Sequence, residues 1–330
     1  MQKAAIIILN YNGEGTLQKF LPSVIRHSAF PVYVADNASS DNSIDLLKEN
    51  FPQVRLISLK QNFGFAGGYN EALKSTQGKY RYYILLNSDV EVTEDWDVDL
   101  IKYLESRPNV AGVQPKILSY RQPDHFEHAG AGGGFIDALG YPYCRGRFFD
   151  TIEKDMGQYD DEITVDWVSG ACMAIQSEIF HKSGGFDASF FAHMEEIDWC
   201  WRLRCEGYLF KYHGVVRVYH VGGATLARSN PKKTYLNFRN NLATLKKNLP
   251  RRDWKKVYPA RIVLDALAAF VFLIRGSLDH AKMVFRAHQD LGRIKGYSDL
   301  SQNKTCKRNG EIKFLLWEYY VKRRKTFLKS

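Results

Sequence analysis

From Ala4 onward, short apolar runs alternate with longer stretches whose apolar residues recur at helical spacing. Strand-like runs fall at 4–9, 31–35, 54–59, 80–86 and 110–117. Helices are predicted between them near 15–27, 41–49, 66–75 and 94–105. This alternation predicts an α/β fold of right-handed βαβ units on a mostly parallel sheet. Two helix starts are marked in advance, by Ser39-Ser40-Asp41 and by Thr93 ahead of Glu94-Asp95.

Past residue 120 the pattern lapses. Residues 120–165 show little periodicity and contain Gly130-Ala131-Gly132-Gly133-Gly134, which reads as a long loop or lid; His125 and His128 in it are given no role. Order resumes with a strand at 164–175, a helix at 194–206 and two short strands at 208–213 and 215–219 that lead to His220. From about residue 227 the chain changes to helices with Lys/Arg clusters, so residues 1–226 and 227–330 are expected to be separate parts. Within the second, the 13 residues from Ile262 to Ile274 are nearly all apolar, apart from Asp265, and lie between Arg261 and Arg275. That run is short of the roughly 20 residues a bilayer crossing needs. It fits an interfacial amphipathic helix or a helix packed on the main domain.

Charge sharpens the division. Of the 46 lysines and arginines, 25 fall in residues 228–330 against 7 acidic residues; the rest of the chain has 21 against 29. An acidic front suits metal and nucleotide chemistry, and a basic rear suits an anionic surface such as a membrane leaflet or a polyanion. With 45% apolar and 25% charged residues, the 330-residue chain is a folding sequence able to bury a large core. Its opening apolar run is too short for a signal peptide, so the protein is expected in the cytoplasm. Five cysteines without a Cys-x-x-Cys pair support neither a disulfide framework nor a zinc site.

Candidate chemistry gathers where strands end, the edge at which open α/β sheets bind ligands. Tyr82 to Leu86 runs into Asn87-Ser88-Asp89, and Asp89 with Glu91 can hold a divalent cation beside a phosphate, though a plain polar turn is an equal reading. Asp36 ends the second strand; it can accept the imide N–H of a uracil or thymine base, or cap a helix. Asn10 and Tyr11 follow the first strand, where Tyr11 can stack on that base. Asn62 to Asn70 includes Gly67-Gly68 ahead of a helix, and backbone N–H groups there can approach a phosphate. No Gly-x-Gly-x-x-Gly or P-loop is present. On the helix after His193, Glu195, Asp198 and Arg202 share a face, and an Asp198–Arg202 ion pair at i,i+4 gives them a structural explanation, whereas Glu196 has no charged partner at i+3 or i+4 and is a candidate general base or a solvated surface glutamate. His220 can complete a metal site or bind a diphosphate, or be structural.

In order and spacing the set Ile-Ile-Leu-Asn-Tyr-Asn, Asp36 to Asp41, Asn62 to Asn70, Leu86 to Asp89, Ser169-Gly170-Ala171, Gly184 to Asp187 and Glu195 to Arg202 resembles the inverting family-2 glycosyltransferases, particularly the rhamnosyltransferase-like branch. The resemblance covers about residues 3–226. It implies a GT-A fold, a Rossmann-like mixed sheet flanked by helices, here with a C-terminal helical extension. By the same resemblance Asp36 reads the base, Asp89 and His220 hold Mg²⁺ or Mn²⁺, and Glu196 is the base. Asn10, Tyr11, Asn62, Gly67, Gly68, Asn87, Ser88, Glu195 and Asp198 join Asp36 on the substrate side. Two positions depart from the family's pattern: Asn87 opens the metal motif in place of aspartate, and Glu196 is one methylene longer than the usual base. The implied reaction is a single in-line displacement on a dTDP- or UDP-sugar, plausibly dTDP-rhamnose. The acceptor would be a glycan or lipid-linked precursor at the cytoplasmic membrane surface. No nucleic-acid partner is expected, and the oligomeric state is open. Absence of Gln-x-x-Arg-Trp favours one sugar per encounter. A sugar-phosphate nucleotidyltransferase and an inactive glycan- or membrane-binding module are the competing readings.

Overall fold

Three strands of five to nine residues place the centre of the molecule: β1 (Gln2–Asn10), β2 (Val32–Asp36) and, beyond them, β4 (Tyr80–Asn87), with β3 (Arg55–Ser58) at the edge. All four run parallel, in the order β4-β1-β2-β3. Helices α1 (Glu14–His27), α2 (Ser43–Asn50) and α3 (Gly64–Ser75) make the crossovers, as the alternating pattern predicts. The interior residues of β1 and β4 are buried on both faces, which explains their unbroken apolar runs.

After β4 the sheet becomes mixed. Strand β5 (Val90–Val92), α4 (Trp96–Glu105) and β6 (Val110–Ser119) follow, and β6 pairs in parallel with a later strand. The stretch expected to be a loop or lid is instead a small antiparallel sheet of β7 (Gly134–Ile136), β8 (Pro142–Cys144), β9 (Arg147–Phe148) and β10 (Thr151–Ile152). Strands of two or three residues are too short for an alternating pattern to register. The single strand expected at 164–175 is two, β11 (Glu162–Val165) and β12 (Cys172–Gln176), because the chain leaves the sheet from Asp166 to Ala171. Short α5 (Ser177–Lys182) and α6 (Glu195–Cys205) come next. The two strands expected before His220 are one, β13 (Leu209–His220), whose pairing with β6 slips between His213 and Arg217. The large sheet therefore runs β11-β13-β6-β12-β4-β1-β2-β3, with β5 on β13, and β12 antiparallel to both its neighbours.

The computed structural model describes residues 1–127, 130–222, 230–294 and 306–327. His128 and the expected boundary between residues 226 and 227 lie outside the described residues. The basic part that follows packs on the rest of the chain. It forms α7 (Pro231–Asn248), α8 (Arg251–Ile274) and α9 (Leu278–Asp290). Lys247 of α7 pairs with Asp187 and Asp198, and Arg261 of α8 donates to the Leu139 carbonyl at 3.0 Å. Further on, residues 306–327 cover the small sheet: Leu315 N–H donates to Asp137 at 2.9 Å, and Phe327 stacks on Tyr143. All five cysteines are free thiols.

Candidate active site

Register brings the strand ends together. Asn10 lies opposite Asp36, and Leu9 opposite Asn87, so three of the expected residues meet at one sheet edge. Asp36 is buried, and its carboxylate accepts from Asn10 Nδ2 (3.1 Å), Ser39 N (2.9 Å) and Ser39 Oγ (2.6 Å). Asn10 Oδ1 is buried without a partner. Tyr11 stands beside them half exposed, and Ser88 is half-buried at the tip of the β4–β5 turn.

The glycines act differently from the expected phosphate cradle. Asn62 Oδ1 takes the Gly64 N–H (2.8 Å), and the Phe191 carbonyl takes those of Phe65 (2.6 Å) and Ala66 (3.2 Å). The first free N–H groups of α3 are thus already bonded within the protein. Gly64 has φ +70°, and a Cβ there would lie 2.4 Å from the Phe191 oxygen. Gly67 and Gly68 lie buried inside α3; a Cβ on Gly68 would stand 2.9 Å from the Leu9 side chain. They set how closely α3 packs on β1 and its surroundings, and a ligand role for their N–H groups is not what this packing provides.

Beyond β4 lies a paired cluster. His220, at the end of β13, meets Asp89 Oδ1 through Nε2 at 3.1 Å and Glu127 Oε2 through Nδ1 at 3.0 Å; Asn87 Nδ2 lies 3.3 Å from the same Nε2. Burial works against a charged imidazole here. The hydrogen bonds and charges of Asp89 and Glu127 outweigh it and raise His220 to about 10, so it is an imidazolium held between two carboxylates. The expected pair Asp89–His220 is therefore in contact. Glu127 was missed, and Glu91 does not take its expected place: it lies in β5 opposite Tyr219. Nothing in the sequence marks Glu127, which stands in the aperiodic stretch 93 residues from His220. Among the described residues no three His, Cys, Asp or Glu side chains form a ready metal cage.

The second cluster is unpaired. The turn into α6 holds three non-glycine residues at positive φ, Phe191 (63°), His193 (71°) and Met194 (75°), a concentration of backbone strain of the kind found at functional sites. Asn240 of α7 holds this turn by donating to the carbonyls of Phe190 (2.9 Å), Ala192 (2.8 Å) and His193 (2.7 Å). Past the turn, Glu195 Oε2, Glu196 Oε2 and His193 Nε2 are all buried without a hydrogen-bond partner. Burial pushes Glu196 up to about 7. Burial and the neighbouring Glu196 charge drive Glu195 well above the usual carboxylate range. Burial, aided by the Lys233 charge, lowers His193 to about 4, so it is neutral. Asp198, expected on the substrate side, is buried away in a tie between α6 and α7, bonded to Arg202 (3.1 Å), Lys247 (3.2 Å) and Asn248 (2.8 Å). Its ion-pair neighbours explain it fully.

The turn before α6 is tied to the Asp36 strand end: Asn37, next to Asp36, donates to the Gly64 carbonyl (3.0 Å), and Gly64 begins the helix whose first N–H groups bind Phe191. A mixed sheet whose strand ends bear one charged, paired carboxylate cluster and one poised near neutrality is laid out for group transfer. The profile of "Glycosyl transferase family 2" matches residues 5–182. The chain belongs to that family and is a glycosyltransferase with a GT-A fold. It is 27% identical over 238 residues to the N-acetylglucosaminyl-diphospho-decaprenol L-rhamnosyltransferase of Mycobacterium tuberculosis, covering 65% of this chain and 75% of that protein. To the rhamnosyltransferase WbbL of Escherichia coli it is 25% identical over 227 residues, covering 65% and 83%. In fold it resembles the mannosyltransferase PcManGT of Pyrobaculum calidifontis, solved with GDP-Man and Mn²⁺, with a TM-score of 0.53 at 13% identity, covering 88% of this chain and 86% of that one. Family membership sets aside the nucleotidyltransferase and inactive-module readings.

Proposed function

We propose that this enzyme transfers one sugar, with inversion, from a dTDP- or UDP-sugar, plausibly dTDP-rhamnose, to a hydroxyl of a lipid-linked or cell-surface glycan precursor. It would act as a peripheral protein at the cytoplasmic face of the membrane. The observation that carries the reading is Glu196: a half-buried carboxylate at the start of α6, one of whose oxygens is buried without a partner, with a proton affinity near neutrality. A general base works best when its pKa lies near the working pH. Glu196 would take the acceptor's hydroxyl proton as that oxygen attacks the anomeric carbon. Asp36, with acceptor capacity left beside its three internal donors, would accept the N–H of the base. Tyr11, half exposed at the same edge, can cover the base ring.

Asp89 and His220 suit a small divalent cation, Mg²⁺ or Mn²⁺. A cation would take the place of the Nε2 proton that His220 shares with Asp89, leaving one carboxylate oxygen and one imidazole nitrogen to hold it, with the second imidazole nitrogen anchored by Glu127. Two protein ligands leave the remaining positions to phosphate oxygens and water, the usual arrangement for Mg²⁺. The ion would offset charge on the departing nucleoside diphosphate. The rhamnosyltransferase names of two relatives favour rhamnose, and the decaprenol named for the mycobacterial relative favours a lipid acceptor. The test is to incubate the protein with dTDP-rhamnose and with UDP-sugars, with and without Mn²⁺, and follow nucleoside diphosphate release and the product's anomeric proton by NMR. Release with dTDP-rhamnose and an inverted linkage is expected; retention of configuration would overturn the Glu196 role.

A further inference from the structure

Helix α8 has its polarity reversed. Its inner face buries ionisable groups: Arg261 and Asp265, each 1% exposed, pair with each other, and Asp265 also meets His288 of α9 at 3.1 Å. Its outer face carries Val263, Leu267, Phe270 and Ile274, exposed by 60, 55, 58 and 70%. These four lie at i, i+4, i+7 and i+11, a single stripe. Extended backward in the same phase, the stripe reaches Lys256 and Arg252, both exposed. On α9, exposed Leu278 and Phe285 alternate with Lys282 and Arg286. A contiguous apolar face of this kind is uncommon on a protein that meets only water.

We propose that the outer stripe of α8 from Arg252 to Ile274, with Leu278 and Phe285 of α9, docks in the plane of an anionic lipid leaflet. It places Arg252 and Lys256 at the phosphates and the apolar side chains in the acyl boundary. This deepens the lipid-acceptor reading above and rests on it for its biological purpose. Charge decides between a leaflet and a second copy of the chain. The stripe belongs to a region with 25 basic and 7 acidic residues, which an anionic surface attracts and an identical copy repels.

Length and composition alone would let α8 cross a bilayer. Its inner face forbids that. Arg261 is bonded to the Leu139 carbonyl and lies 4.1 Å over the Tyr141 ring, and Tyr141 donates to Asp265 at 3.3 Å, so one side of the helix is committed to protein. The apolar half, 13 residues at about 1.5 Å each, rises roughly 20 Å, less than the ~30 Å hydrocarbon core.

Flotation of the full-length protein with vesicles tests this. Phosphatidylglycerol-containing vesicles should carry it up the gradient at low salt, pure phosphatidylcholine much less, and raised salt should release it. The exposed-face double variant Leu267→Asp/Phe270→Asp should lose about tenfold or more in partitioning, with its melting temperature and its transfer to a soluble acceptor analogue unchanged. Arg252→Glu/Lys256→Glu should lose the preference for anionic lipid. Failure of the parent to float at low salt, flotation of the double variant equal to the parent, or resistance of the bound protein to alkaline carbonate extraction would each overturn the proposal. So would a parental dimer that the double variant breaks with flotation unaffected. If neither protein transfers sugar while the parent floats and the variant does not, the docking surface stands and the sugar-transfer reading falls.

Discussion

Two acidic clusters, one at the end of β13 and one at the start of α6, are treated by the protein in opposite ways. Around His220 every charge is answered: Asp89 and Glu127 each bind one imidazole nitrogen. At the start of α6 the polar groups are only partly answered: Glu195, Glu196 and His193 each bury one unbonded polar atom. A buried carboxylate left unpaired is expensive, and it relieves the penalty by holding its proton. The paired cluster is therefore a fixed site of charge, suited to a cation and a leaving diphosphate. The unpaired one is a site whose proton can move near neutral pH, suited to acid–base work. How fully each carboxylate is satisfied thus decides whether it keeps its charge or its proton.

The sharpest way to break this contrast is to remove the movable proton. Glu196→Gln should lower kcat by about 10³-fold, within the range for loss of a general base, with little change in donor KM. The parent's activity should be lost as pH falls through about 7, because the base must be ionised. The same substitution should stabilise the fold at alkaline pH. Glu196 has its affinity for protons raised on folding, so its ionised form favours the unfolded chain; this penalty is absent below about 4.5 and complete above about 7. At pH 8 the variant should gain up to ~3 kcal/mol, read from denaturant melts, and almost nothing at pH 4. Retention of a tenth of parental kcat, or a loss of stability at pH 8, would remove Glu196 from the role.

On the paired side the expected signs reverse. Asp89→Asn should reduce metal-stimulated activity by about 10²-fold, through weaker cation binding measured by calorimetry with Mn²⁺. No rise in stability should accompany it, since His220 loses a partner. An Asp89→Asn protein with parental Mn²⁺ affinity would show that the paired cluster is structural.

These contrasts explain what the sequence made legible. The parallel half of the sheet was readable because β1, β2 and β4 are buried runs set between amphipathic helices of ordinary length. Asp36, Asp89, Glu196 and His220 were singled out because each stands at the end of a strand or the start of a helix, and the structure puts them there. The small sheet was not, since its strands are two or three residues long. Gly67 and Gly68 have a packing reason the sequence hides, because a glycine that admits a neighbouring leucine looks, in sequence, like one that admits a phosphate. Glu195 and Asp198 share a helix face in sequence, but Lys247 and Asn248 come from α7, 49 and 50 positions on, and bind Asp198. One signal was available and unused: Asn240-Asn241 in the middle of a helix is poor helix-forming sequence, which hints at a buried polar duty.

Glu127 asks whether the paired cluster needs its outer carboxylate. It touches the imidazole and is one bond removed from the proposed cation, so Glu127→Gln should weaken Mn²⁺ binding and activity by about 10-fold, the usual scale for a group that orients a ligand. It should also destabilise the fold by about 1–3 kcal/mol at neutral pH, because a buried charged hydrogen bond is lost. That loss, set against the gain from Glu196→Gln, gives two neutralised carboxylates of opposite effect in one protein. Equal signs would erase the distinction.

The smallest effect expected is the most informative about how the unpaired cluster survives. Three residues at positive φ each oppose the turn before α6, and the orphaned carboxylates behind it add to the strain. Asn240 opposes both by bonding three carbonyls of the turn from α7. Asn240→Ala should cost about 2 kcal/mol of stability and lower kcat by about 5-fold, with donor KM nearly unchanged, because the base is displaced while the Asp36 edge is untouched. The apparent pKa of the rate profile should also fall from about 7 as water reaches Glu196 through the loosened turn. A purely structural asparagine would lower stability and leave that pKa in place. A profile unmoved in Asn240→Ala would mean that burial by the sheet edge alone sets the proton affinity of Glu196, and that α7 supports the fold without tuning the base.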